Sequence, residues 1–158
     1  MKKIIKITLG ILVCSGVGYL SSIVTRSSLS TWYPLIAKPS FNPPNYVFPI
    51  VWPILYILMG IAAGMVWNHF ATKENLVKKA LILFGIQLAL NALWSILFFG
   101  MQNPRIAFFE LLLLLLFVIL TCRQFYKITP LASYLLIPYI LWLSFAAILN
   151  YSIWTLNP

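Results

Sequence analysis

Apolar residues gather into five long runs: Ile4 to Val24, Phe48 to Trp67, Ala80 to Phe99, Ile106 to Cys122 and Leu131 to Trp154. Each holds about 17 to 24 residues, and at about 1.5 Å per residue a helix of that length crosses the hydrocarbon core of a bilayer. Polar residues fall between the runs. Asn68 to Lys79 is polar and basic, Gly100 to Arg105 holds Asn103 and Pro104, and Arg123 leads through Lys127 to Pro130. Only the first connection, Thr25 to Val47, is long. The pattern predicts an all-α integral membrane protein, one domain over residues 1–158 formed by a bundle of five transmembrane helices.

Composition narrows the class further. The chain is 62% hydrophobic and 8% charged, with a mean hydropathy of +0.96. A soluble domain carries roughly a quarter of its residues charged, so there is too little polar surface here to coat a soluble globule. The net charge of +9 comes from 11 Lys and Arg against Glu74 and Glu110. These bases are spread thinly at the ends of apolar runs, which suits membrane topology and argues against nucleic-acid binding. Lys2, Lys3, Lys6, Lys73, Lys78, Lys79, Arg123 and Lys127 fall on one side of the predicted bundle, and Arg26, Lys38 and Arg105 on the other. The excess places the N-terminus in the cytoplasm and the long connection outside. The start, MKKIIKITLGILVCSGVGYLSS, has the layout of a signal peptide, but its apolar run continues to Val24 and reads as a first membrane helix.

The long connection is not an ordinary polar linker. Between Trp32 and Trp67 lie Pro34, Pro39, Pro43, Pro44, Pro49 and Pro53, together with Trp32, Tyr33, Phe41, Tyr46 and Phe48. Proline fixes φ and removes a donor, so Pro34 to Pro49 is not regular helix. A stiff loop with that much aromatic surface needs something to lie against, and we expect it to cap a pocket in the bundle.

Candidate chemistry is sparse. Nucleophile elbows, phosphate loops and paired carboxylates are absent from the sequence. Cys14 and Cys122 lack metal-ligand spacing and read as small buried residues, and His69 reads as a surface residue, so no metal site is expected. Glu110, about one turn into the fourth run, suits either the dipole of a helix N-terminus or a proton relay. Gln87, Asn91, Trp94 and Phe98 share one face of the third run, as interhelical hydrogen-bonding groups or as a pocket wall. Trp52, Trp94 and Trp142 lie inside their runs, where they could line a cavity, while Trp67 and Trp154 suit an interfacial belt. Gly10, Cys14, Gly18 and Ser22 recur every four residues, as do Gly60 and Gly64. Such stripes let helices approach closely, within one chain or across a dimer seam.

Three blocks carry a resemblance: WYPLIAKPSFNPPNYVFPIVWPILYILMG, ALNALWSILFFG and PYILWLSFAAILNYSIW. Together they resemble the signature of the translocator protein or tryptophan-rich sensory protein family, also called the peripheral-type benzodiazepine receptor family, and the chain is similar to its bacterial members. The resemblance implies a five-helix bundle in a bacterial cell membrane, commonly a homodimer, whose first loop closes a pocket. It implies binding of protoporphyrin IX, haem-related tetrapyrroles and aromatic drug-like molecules as ligands, with no cofactor required. The family's pocket positions fall here on Trp52, Asn91, Trp94, Trp142, Ala146 and Leu149, and its loop aromatics on Trp32 and Tyr33. Pro44 and Tyr56 are expected to join them. Some bacterial members are similar to light- and oxygen-dependent porphyrin-degrading catalysts. In that case Trp52 and Trp142 would be the catalytic side chains. Two departures stand out. Ile106 replaces a tryptophan common in animal members, and no Lys or Arg follows Trp154, so cholesterol binding is not carried over. A tetrapyrrole receptor or sensor ranks first, a degrading enzyme second, and a transporter of porphyrins or other hydrophobic solutes third.

Overall fold

The structure, a computed structural model, describes residues 2–158. Six α-helices follow in order: α1 Lys3–Thr31, α2 Phe48–Trp67, α3 Glu74–Ser95, α4 Pro104–Ile128, α5 Pro130–Tyr134 and α6 Ile137–Leu156. Among the described residues there is no strand. Five segments are long and apolar enough to cross a membrane, and they are Lys3–Thr31, Asn45–Trp67, Glu74–Gly100, Pro104–Ile128 and Pro130–Leu156. The outside of the bundle is correspondingly apolar. Leu12, Leu20, Ile54, Ile82, Leu116, Leu141 and Ile148 are all exposed there, an arrangement that lipid tolerates and water does not.

Several helices outrun their apolar stretches. α1 continues through Thr25–Thr31, which polarity alone assigns to the connection. Its hydroxyl side chains bond back to the helix: Thr25 donates to the Ser21 carbonyl at 3.0 Å and Thr31 to that of Ser27 at 2.7 Å. Ser28 is buried and donates across to the Phe99 carbonyl. A polar segment can therefore stay helical without leaving buried groups unpaired. α3 likewise begins six residues early, at Glu74, and α4 runs six residues past Cys122. The fifth stretch is two helices, because the chain turns at Leu135 and Leu136 and restarts with Pro138 in the first turn of α6.

Both glycine stripes are used inside one chain. A Cβ on Gly10 would collide with the Gly60 carbonyl oxygen, one on Gly60 with the backbone of Gly10 and Ile11, and one on Gly64 with the backbone of Ile7. The backbones of α1 and α2 therefore lie in contact, as small residues permit. Gly18 makes room for the Tyr56 ring. Behind this seam the core closes on Met59, Leu111, Leu114, Phe125, Tyr139 and Leu143, each under 2% exposed.

The two ends of the bundle differ. At one end Lys6 donates to the Trp67 carbonyl at 3.2 Å, and Lys73 reaches the carbonyls of Lys127 and Ile128 at 3.4 and 3.1 Å. At the other, Asn157 holds the connection through both backbone groups of Ala37, accepting from its N–H at 3.0 Å and donating to its carbonyl at 2.9 Å.

Candidate functional site

Where α3 approaches its C-terminal end it loosens into a π-turn, Ile96–Gly100, closed by the Met101 N–H on the Ile96 carbonyl at 2.7 Å. The Ser28 hydroxyl caps this turn at the Phe99 carbonyl. Such turns shift the register of the side chains that follow. Here the shift stacks Phe98 on Trp94 at 5.1 Å and sets Phe99 edge-on to Phe98 at 4.8 Å. α1 packs along α2 and touches α3, while α6 packs on α4. The space left between α1 and α6 is a cavity of about 500 Å³.

Its walls are of two kinds. α2, α3 and α6 contribute Trp52, Tyr56, Trp94, Phe98, Trp142 and Phe145. Trp52 meets Trp142 edge-to-face at 6.4 Å and an interplanar angle of 89°, and lies 5.7 Å from Tyr56. Phe145 follows Trp142 at 5.6 Å. α1 contributes a polar ribbon, Ser15, Ser21, Ser22, Thr25 and Arg26. Exposed residues of both neighbouring helices, Tyr19 of α1 and Pro49, Pro53 and Ile57 of α2, also line the cavity, so it opens sideways between α1 and α2. Pro53 lacks an N–H and leaves the Pro49 carbonyl without a helical donor along this edge.

Polar side chains behind the wall fix the aromatic ones. The Tyr56 hydroxyl donates to Asn91 Oδ1, and Asn91 Nδ2 donates to the Tyr139 hydroxyl at 2.8 Å. Trp94 Nε1 donates to Asn150 Oδ1 at 3.0 Å, and Asn150 Nδ2 in turn donates to the Pro104 carbonyl at 2.7 Å. Asn91 and Asn150 are both 2% exposed, so each links two elements through the protein interior. Trp142 Nε1 is buried and has no hydrogen-bond partner among the described residues.

Of the residues singled out from sequence, Tyr33, Trp52, Tyr56, Trp94, Trp142, Ala146 and Leu149 come together on the cavity. Three do not reach its wall. Asn91 lies one layer behind, held between the Tyr56 and Tyr139 hydroxyls. Trp32, directly after the extended α1, rests edge-on against Phe98 at 5.7 Å. Pro44 is exposed at the start of a short turn, Asn45–Val47. From the connection, Tyr33 and Asn45 line the cavity instead. The Tyr33 hydroxyl donates to Asn42 Oδ1 at 2.8 Å, and Lys38 Nζ stands 4.8 Å from its ring centre. Burial pushes the Tyr33 phenol above its ordinary range, and the bond to Asn42 offsets part of that rise.

Glu110 is 8% exposed and neither carboxyl oxygen has a partner among the described residues. Arg105 is turned to the Trp154 ring, 5.8 Å away. Among the described residues no group of three His, Cys, Asp or Glu is placed to hold a metal ion. Sequence reasoning missed Ser21, Arg26 and Tyr139. A signal for Ser21 was present: Cys14, Ser21 and Ser28, spaced by seven, are the buried residues of α1. That spacing carries one helical face past Val24.

A family profile described as the TspO/MBR family matches residues 10–155. The chain is 43% identical over 157 residues to the tryptophan-rich protein TspO of Chlorobaculum tepidum, covering 99% of each. It is 41% identical over 154 residues to the protein of that name in Archaeoglobus fulgidus, covering 98% of each. The translocator protein of Sus scrofa is 38% identical over 140 residues, which span 89% of this chain and 83% of that one.

Proposed function

The chain belongs to the TspO/MBR family of membrane proteins, and from that premise we propose that it is a receptor or sensor of porphyrins and related tetrapyrroles. The ligand is bound in the cavity between α1 and α6. The observation that carries this reading is the set of three inward tryptophans, Trp52, Trp94 and Trp142, around one cavity of about 500 Å³. Indole rings gain most from flat, polarisable partners, and the site lies among segments apolar enough to cross a membrane, where hydrophobic ligands partition. The connection before α2 acts as its lid, with Tyr33 and Asn45 on the inner side and Asn157 as its clasp. Aromatic drug-like molecules fit the same chemistry.

The N-terminus and the basic end of the bundle face the cytoplasm, in a bacterial cell membrane. A homodimer belongs to the same proposal. Since Gly60 and Gly64 are used against α1, its seam lies on another face. A second reading, oxidation of the bound macrocycle by oxygen in light, is favoured by one feature. Trp52 and Trp142 on the cavity wall and Tyr139 buried behind them are all oxidisable, with Trp52 6.4 Å from each of the other two rings.

Binding is tested by titrating protoporphyrin IX against tryptophan fluorescence in detergent. Saturable quenching is expected, with affinity at least about tenfold weaker in a Trp52→Ala, Trp142→Ala variant, as loss of two aromatic contacts implies. Unchanged affinity in that variant would remove the site from this cavity. Bleaching of the Soret band under illumination, suppressed in a Trp52→Phe, Trp142→Phe variant, would select the second reading.

A further inference from the structure

We infer that the cavity takes its flat ligand with an acidic group on one edge, and that Arg26 is the residue that pairs with that acid. The inference rests on the reading of this cavity as a macrocycle site, and it adds the charge and the orientation of the ligand.

The cavity is sided. Its aromatic wall is formed by α2, α3 and α6, and its polar ribbon by α1 alone. Ser15, Tyr19, Ser22, Arg26 and Leu29 recur at three- and four-residue steps, so one face of the C-terminal half of α1 is turned to the cavity. A ligand that satisfies both walls has an aromatic body and a polar edge turned towards α1.

The charge of that edge follows from what lines the site. Among the described residues Arg26 is the only cation on the lining, and neither Glu74 nor Glu110 is part of it. Arg26 is itself exposed, at the edge of the cavity, and an uncompensated positive charge beside an apolar lining favours an anion. Arg26 also differs from the other cations of its end. Arg105 lies over the Trp154 ring, and Lys38 lies over the Tyr33 ring and donates to the Ile36 carbonyl at 3.0 Å. The Arg26 side chain has no hydrogen bond, ion pair or ring partner among the described residues. A carboxylate suits Arg26, since a guanidinium takes two carboxylate oxygens at once.

A lipid phosphate carries similar anionic oxygens, and the test separates the two sources. Protoporphyrin IX, which has two carboxylates, and its uncharged dimethyl ester are titrated against the wild-type protein and Arg26→Gln in lipid-free detergent. We expect the wild type to bind the acid about tenfold more tightly than the ester, the scale of one charge-assisted contact. Arg26→Gln should bind both at the ester's affinity. The unchanged ester affinity shows that the variant is folded. Equal wild-type affinity for acid and ester overturns the inference and leaves the cavity reading standing. Equal weakening of both ligands by Arg26→Gln makes the residue structural and also overturns it. Loss of the acid's advantage on adding phosphatidylglycerol assigns Arg26 to a headgroup, with the same result. If neither macrocycle binds, the cavity reading itself falls and takes the inference with it.

Discussion

Gly60 shows how much of this fold depends on the absence of a side chain. Its Cα faces the backbone of Gly10 and Ile11, with no flexible side chain between them to yield. In lipid, helices gain little from burying apolar surface, so close packing of this kind carries much of the association. Gly60→Ala should therefore push α1 off α2 and lower stability by about 1–3 kcal/mol, the scale of overpacking in a tight interior. Thermal unfolding in detergent measures this, and an unchanged midpoint would mean that the α1–α2 seam is not tight in solution. Single residues also set the aromatic wall. Trp94 is fixed by its bond to Asn150, whereas Trp142 has a buried N–H with no acceptor among the described residues. The spacing of Asn91 and Trp94 shows in sequence that they share a face with Gln87 and Phe98. It does not show that Asn91 spends its amide on two tyrosine hydroxyls. That depends on Tyr56 and Tyr139, which other helices bring to it.

Among the elements, the connection before α2 and the end of α1 depart most from a reading by polarity. Hydropathy places every span, because runs of 17 or more predominantly apolar residues are long enough to cross a bilayer and too apolar to face water. It misplaces ends, because Ser and Thr can close a helix's own hydrogen bonds. Thr25, Ser27, Ser28, Ser30 and Thr31 do so here or bond to α3, and they carry α1 seven residues past Val24. The same extension brings Arg26 onto the cavity and sets Trp32 against Phe98. The connection is stiffened by prolines, as its sequence implies, but its anchor is at the far end of the chain, at Asn157. Proline content cannot reveal such a pairing across 120 residues. Asn157→Ala removes both bonds to Ala37. We expect faster amide exchange at 36–47 with little loss of global stability, about 1 kcal/mol or less per exposed hydrogen bond. Unchanged exchange there would show that Asn157 does not hold the connection.

At the scale of the whole molecule, eight cations that are scattered along the sequence gather at one end of the bundle, where Lys6 and Lys73 tie α1 to α2 and the α2–α3 turn to the end of α4. Orientation in the membrane follows from that asymmetry. In a background with Cys14→Ala and Cys122→Ala, an impermeant thiol reagent should label Ser40→Cys in intact cells and Asn75→Cys only after permeabilisation. Both positions are exposed, so the reverse pattern would invert the molecule. The claim on which the rest depends is that the space between α1 and α6 is where a tetrapyrrole binds. Ala146 lies half-buried on its wall, and a tryptophan there fills the cavity without touching the α1–α2 seam. The most direct test is a titration of protoporphyrin IX followed at the Soret band, with wild type and Ala146→Trp compared and helicity checked by circular dichroism. The expected result is a saturable shift in the wild type and at least about tenfold weaker binding in a folded Ala146→Trp protein, since overfilling removes the ligand's space. Equal affinity in the two would contradict it, and the ligand would have to lie elsewhere on the bundle.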